Sequence, residues 1–587
     1  MTQKESSPKN TDWNKILIIL FSTIGLIACI AALFPYIRQM IMDLAAQIYQ
    51  REASTSQSWL RVLLSYAMGG IFIILFFDYC TLTKSGKALV HKTKQEIKDS
   101  LSEIDFRSLI KPVLLLFGVY LLGIMTIIRA NFSYIDDIWI SVAGYRVWYD
   151  WSRYVIQFLS YIIHPDISLT DISPLPQLLA AFLLSISSVL LVYVIGKRKI
   201  NIVLLLATIP LALFPFNLEC LSFKYGAPYA PLSLLACIFP FLFIARKNAF
   251  IFCSFLCLLI ICMTHQASAG VYMLIVIILS FQDWNSKKKT NKEIFSFIGI
   301  SAFSFCFSLL FFKFFLMKPL DSYASNTMHQ VSNLVSGILN NIKGYAEIIS
   351  SDFGIIWKTG ILLVLLFFII KSICQSKQNK LLTFFVSIIA IGLSFILSYG
   401  IYLLLETPMY TPRALTGFCS FLAIMSIYVV LENKKIAIIT VLALNWCFFV
   451  FAFSYGNALA DQKRYETFRS SLMLHDLNSL YPENTDDMTI QISNAIGFTP
   501  VIENIAKHNP VIKRLVPVQI KEDDMFSYIN FLNYNNFGKF KSKVFSYSSD
   551  YEDFKKLDLP VVLDSYYHTI KSDGNRILVV LKDSSFQ

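Results

Sequence analysis

The sequence predicts a polytopic all-α membrane protein with about 13 transmembrane helices and a small extracytoplasmic α/β domain at its C-terminus. Three observations carry this. Hydrophobic residues make up 55% of the 587 and charged residues only 15%, with a mean hydropathy of +0.57, a balance that no soluble domain of this size shows. Apolar runs of bilayer length recur from Ile16 to Phe453, and Lys and Arg fall in every second loop between them. After Tyr455 the runs stop and the composition becomes that of a soluble module.

The first two spans, Ile16–Ile37 and Trp59–Phe77, precede a basic, helix-prone segment, Lys84–Lys111. The remaining spans are read at Pro112–Ile128, Leu178–Ile195, Ile200–Phe214, Tyr229–Ile244, Phe250–Met263, Ala269–Phe281, Ile294–Leu316, Ile355–Ile370, Leu381–Leu405, Ala414–Leu431 and Ile436–Phe453. The loops at Lys197–Lys199, Arg246–Lys247, Lys287–Lys292, Lys371–Lys380 and Lys434–Lys435 are basic and alternate correctly, which places the N-terminus in the cytoplasm and the C-terminus outside. Residues 1–111 form an N-terminal extension, 112–454 the transmembrane core and 455–587 the external domain. The polar start MTQKESSPKNTDWNK precedes a run too long for an h-region, so no cleavable signal peptide is expected.

Charge follows the same division. The net charge is +12, yet Tyr455–Gln587 holds 15 Lys/Arg against 17 Asp/Glu, so the excess sits in the short loops of the core. That is a topology signal, not the footprint of a nucleic-acid binder. All 11 cysteines lie in or beside apolar runs and none follows Cys447, as expected of small buried hydrophobes.

The outward loops carry the unusual polar chemistry. Asn131–Arg153, NFSYIDDIWISVAGYRVWYDWSR, places Asp136 and Asp137 at a membrane surface, where acid pairs beside arginines mark sites. A helix over Ser141–Ile163 would put Arg146, Asp150, Arg153, Gln157, Ser160 and His164 on one face and an aromatic stripe on the other. FPFNLECLSFK supplies Glu219 and Lys224, THQASAG supplies His265 and Gln266, and YTPRAL supplies Arg413. Each has a bland alternative, a helix-start acid or a bonded turn residue, and Lys313 reads as a snorkelling lysine. Chance would scatter such residues over both membrane faces, whereas here four distant loops bring them to one. In the C-terminal module, DMTIQIS, Phe498–His508, VIKRLVPVQI and RILVVLK read as strand and helix pieces, without a phosphate-binding glycine loop or metal-ligand spacing.

IDDIWISVAGYRVWYDWSR, DISPLPQLL, PFNLECLSFKY, HQAS, YTPRAL and YGNALADQKRY, in that order, resemble the bacterial serotype-converting O-antigen glucosyltransferases of the Gtr type II-like membrane family. The likeness runs from about Pro112 to about Asp476. It implies a GT-C-like fold in the bacterial inner membrane with the active site facing the periplasm. Such an enzyme moves a sugar, usually glucose, from undecaprenyl phosphate to lipid-linked O-antigen repeat units. Its functional partners are a flippase and a cytoplasmic polyprenyl-phosphate glucosyltransferase.

Displacing a lipid phosphate from a sugar C1 needs a base beside the attacking hydroxyl and cations on the leaving phosphate. Asp136 or Asp137, with Asp136 preferred, suits the base. Arg153 and Arg413 suit the phosphate, because a guanidinium binds it bidentately. Arg146, Glu219, Lys224, His265 and Gln266 are expected to bind substrate. Asp136, Asp137 and Glu219 also offer oxygen ligands to Mg²⁺ or Mn²⁺, though no cofactor is required by the pattern. A lipid A sugar transferase or an O-antigen polymerase shares this topology. A lipid or sugar transporter fits less well, since its charges belong near the midplane and no inverted repeat is visible.

Overall fold

A computed structural model describes residues 75, 77–149, 151–317, 333–432, 434–482, 488–522, 541–542 and 552–583. The two N-terminal spans expected at Ile16–Ile37 and Trp59–Phe77 lie wholly or almost wholly outside them, as does Asp150. Eight helices are long and apolar enough to cross a membrane: Phe106–Ala130, Leu175–Ile195, Gln266–Asn285, Asn291–Leu316, Ile355–Gln375, Lys380–Ser398, Pro412–Val430 and Lys435–Leu480. Their outward side chains, such as Phe303, Leu362 and Trp446, are apolar and exposed, as a lipid-facing surface requires.

Three expected spans are not straight crossings. Ile200–Phe214 is interrupted because Pro210 and Pro215 lack the N–H that a continuing helix needs. The chain bends by 62° between Ile202–Leu213 and Pro215–Ser222, and this pair is at most a ninth, broken span. Tyr229–Ile238 tightens into a 3₁₀ turn at Phe239–Phe243, where Pro240 sits. That segment and Lys247–Cys262 are short apolar helices below spanning length. Among the described residues the count is therefore eight or nine, not the eleven read there.

The basic loops collect at one end of the bundle. Arg198 and Arg246 both reach Glu103, at 2.8 and 2.7 Å, just before the start of the Phe106–Ala130 helix. Lys197 and Lys289 both reach Asp283, at 2.9 and 3.0 Å. At its far end the same helix closes on Asn131, in the left-handed conformation with φ 45°. The acid-pair loop follows there, about 37 Å away at 1.5 Å per residue.

The last membrane helix, Lys435–Leu480, runs unbroken for 46 residues, about 69 Å. It therefore passes straight through position 454/455, where the domain boundary is expected. Gly456 lets it approach Thr126 of the Phe106–Ala130 helix, whose hydroxyl donates to the Ala452 carbonyl at 3.2 Å. Its outer turns, through Met473 and Leu477, pack on a sheet with Ile490, Ile570, Ile577 and Val579. The sheet has strands β1 (Thr489–Ser493), β2 (Lys541–Ser542), β3 (Val561–Asp564), β4 (His568–Ser572) and β5 (Arg576–Leu581), in the order β2-β1-β5-β4-β3. β1 pairs in parallel with both β2 and β5, and the other pairs are antiparallel.

VIKRLVPVQI, one of the strand and helix pieces read in the sequence, contributes a short helix, Ile512–Leu515. With the Pro500–Ala506 helix it inserts into the membrane body, where Ile502, Val511, Ile512 and Leu515 join the main core. Arg514 bonds the Asp352 carboxylate and the Tyr410 carbonyl. The C-terminal module is thus locked onto the end of the bundle that carries the acid pair.

Candidate functional site

The acid pair opens a short helix, Asp136–Ala143, in an unusual way. Ile135 just before it has φ 43°, a costly conformation for a β-branched residue, on the order of 1–3 kcal/mol. Reciprocal bonds hold the turn: the Tyr134 N–H donates to Asp137 Oδ2 and the Asp137 N–H to the Tyr134 carbonyl, both at 2.9 Å. The Lys224 N–H donates to the same Oδ2 at 2.9 Å. Asp137 is fully buried, and Oδ1 has no hydrogen-bond partner. Burial pushes its carboxyl up to about 8 against the pull of the two amides, with Asp136 adding to the rise. Asp137 is therefore mainly protonated at neutral pH.

Asp136 is half-buried and acts electrostatically on Arg153, Glu219 and Arg413. The helix expected over Ser141–Ile163 is two pieces, because Gly144 (φ 68°) caps the first and the second begins only at Tyr154. A side chain at Gly144 would overlap Ser168. The break gives the two arginines of this stretch different places. Arg153 stands at the head of the second helix, beside Asp136 and Arg413. Arg146 is committed to scaffolding. It donates to Ser160 Oγ at 3.0 Å and to the carbonyls of His164, Asp166 and Ile167, and it stacks on Tyr161.

The bend at Pro215 brings Glu219 beneath the YTPRAL loop. Glu219 Oε2 accepts the Arg413 N–H at 2.6 Å and its Oε1 lies 3.9 Å from the guanidinium. On the other side, His265 Nε2 meets the Arg413 carbonyl at 3.0 Å. The Arg413 peptide is clamped from both sides, and its guanidinium lies over the Phe223 ring at 5.4 Å. Gln266 bonds back to the Cys262 carbonyl at 3.0 Å. Lys224 turns its ammonium to Asp171 at 2.8 Å. Asp136, Arg153, Glu219, His265 and Arg413 therefore share one centre. Asp137 and Lys224 adjoin it through the Lys224 peptide, while Arg146 is held elsewhere.

Tyr402 also joins the centre, within electrostatic reach of Arg153 and Arg413; its position inside an apolar run hid it. The floor is closed from the C-terminal module, where the Leu515 carbonyl accepts from Tyr134 (2.6 Å) and Tyr455 (3.4 Å). Tyr455 further pairs with Ser222 at 2.8 Å. The three carboxylates offered to a divalent ion do not assemble into a ligand set. Asp137 faces backbone amides, Glu219 faces the Arg413 peptide, and among the described residues no three His, Cys, Asp or Glu side chains converge.

A family model described as "Glucosyl transferase GtrII" matches residues 125–430, just over half of the chain. A protein of Salmonella phage P22, described as an uncharacterized 55.3 kDa protein in the gtrB 5' region, is 22% identical over 420 residues, covering 67% of this chain and 84% of its own. No solved structure matches.

Proposed function

The chain belongs to the GtrII glucosyl transferase family, and from that premise we propose that it carries a sugar, glucose, from undecaprenyl phosphate to O-antigen repeat units. The reaction is placed at the periplasmic face of a bacterial inner membrane. A cytoplasmic synthase and a flippase supply the lipid-linked sugar. The observation that carries this reading is one acid, Asp136, set against two arginines, Arg153 and Arg413, at the mouth of the bundle.

In the proposed reaction an acceptor hydroxyl oxygen bonds to the sugar C1 as the C1–O bond to phosphate breaks. Asp136 takes the hydroxyl proton, a contribution of roughly 10²–10⁴-fold. The undecaprenyl phosphate leaves with its added charge matched by Arg153 and Arg413. Glu219 and His265 do not need to touch the sugar in this scheme; they fix the peptide that aims Arg413. The protonated Asp137 shapes the turn that presents Asp136.

The test is mass spectrometry of O-antigen from cells expressing wild type or Asp136→Asn at matched protein levels. A hexose gained per repeat unit with wild type and absent with the variant is expected. A repeat unit unchanged by well-expressed wild type refutes the acceptor. Hexose on lipid A instead, or an altered chain length, moves the assignment to a lipid A transferase or a polymerase.

A further inference from the structure

Beside the acid pair lies a cavity of about 360 Å³ that the proposed chemistry leaves unused. Its polar wall comes from the DISPLPQ segment, through Asp171, Ser173 and Gln177, and from Lys224. Ile127, Ile128, Phe132 and Pro174 supply the apolar wall. Gln177 is only 4% exposed, and its Oε1 has no hydrogen-bond partner, an expensive state for a buried amide. Its Nε2 makes one long bond, 3.5 Å, to the Phe223 carbonyl. Lys224 is 5% exposed and its charge is already matched by Asp171.

These features select a ligand chemistry. A phosphate or other anion would meet the Asp171 carboxylate, which already matches the Lys224 ammonium; the second ammonium close by, Lys463, is committed to the Asn131 carbonyl at 2.7 Å. A lipid tail would leave the amide and the ion pair unsatisfied. A neutral polyhydroxyl ring suits both walls, with its hydroxyls on Gln177, Ser173, Asp171 and Lys224 and its C–H faces on the isoleucines. The volume lies at the small end of small-molecule sites, roughly 300–1,000 Å³. The Lys224 residue that contributes to this cavity also donates its N–H to Asp137, so the cavity adjoins the acid-pair turn through one residue.

We infer that this cavity is the acceptor subsite, seating a sugar ring of the glycan that receives the transferred residue. This rests on the transferase reading above. The test uses the full chain in lipid nanodiscs, with Gln177→Leu and, as a variant that alters only the apolar wall, Ile128→Trp. Transfer kinetics are measured against a soluble O-antigen repeat oligosaccharide, and binding of that oligosaccharide by ligand-observed NMR. Loss of one hydrogen bond or of the free volume is expected to raise the acceptor KM by about tenfold. The donor KM should hold within about twofold. An unchanged acceptor KM in both variants, or a shift confined to the donor, overturns the inference and leaves the transferase reading intact. If wild type binds the oligosaccharide in an Ile128-sensitive way but transfers nothing, the transferase reading and the acceptor role both fail, and the cavity stands only as a glycan-binding site. If it neither binds nor transfers, both fall.

Discussion

Asp137→Asn separates the two acids of the pair. The Asp137 carboxyl is pushed up to about 8 by burial, so the protonated form is favoured at pH 7. Asparagine copies that neutral form: its carbonyl oxygen can accept the Tyr134 and Lys224 amides that Oδ2 now accepts. Transfer at pH 7 is therefore expected within about threefold of wild type, against roughly 10²–10⁴-fold lost in Asp136→Asn. The pH dependence is a second signature. The folded carboxyl lies above its unfolded value of 3.8. Its contribution to stability is thus complete below about 4 and is lost as pH rises towards about 8. The slope in that window is about 1.4 kcal/mol per pH unit. Thermal melting of detergent-solubilised protein from pH 4 to 9 should show a steeper decline in wild type than in Asp137→Asn, where Glu466, also pushed up to about 8 by burial, still contributes. A folded Asp137→Asn as inactive at pH 7 as Asp136→Asn would refute the reasoning and return the base to Asp137.

Four further outcomes are expected. Arg413→Lys keeps the clamped backbone but loses the planar fork, and transfer should fall about 10- to 100-fold, with protein yield unchanged on a fluorescence size-exclusion trace. Glu219→Ala removes the acceptor of the Arg413 N–H, and melting should register a loss of about 1–3 kcal/mol together with reduced transfer. Arg514→Ala strands a buried Asp352 carboxylate and should cost about 3–5 kcal/mol; the pair Arg514→Leu with Asp352→Leu should recover most of it. Gly456→Leu drives a Cβ into the Thr126 hydroxyl and backbone, and the protein should fail to emerge as a monodisperse peak.

Convergence of the distant loops was the most legible feature of the sequence. Glu219, His265 and Arg413 stand far apart in the chain and were expected at one membrane face as separate substrate-binding groups; the bonds that Glu219 and His265 make to the Arg413 peptide were not anticipated. Their roles were less legible, because composition names a charge without saying whether its partner is a ligand or a peptide. Arg146 looked like Arg153 on a helical wheel, but both lie in the non-helical stretch that follows Gly144, and the chain turns between them at Ser152 (φ 56°). Hydropathy did not register the breaks at Pro210, Pro215 and Pro240 inside apolar runs, since a window average does not see a missing N–H, nor that Lys247–Cys262 is shorter than a crossing. Tyr402, Asp352 and Arg514 carry no local pattern at all. They matter through contacts across the fold that no spacing encodes.

The unbroken 46-residue helix makes the C-terminal module's orientation a matter of residue counting. One residue inserted between Gly456 and Met473 would turn everything beyond it by about 100° and lift it by 1.5 Å. The Leu515 carbonyl would then miss Tyr134, and Arg514 would miss Asp352, without any change in either partner. Seven residues, close to two full turns, would nearly restore the azimuth while raising the sheet by about 10 Å. Length variation along this helix is thus screw-like: rotation and height change together, and no single insertion preserves both.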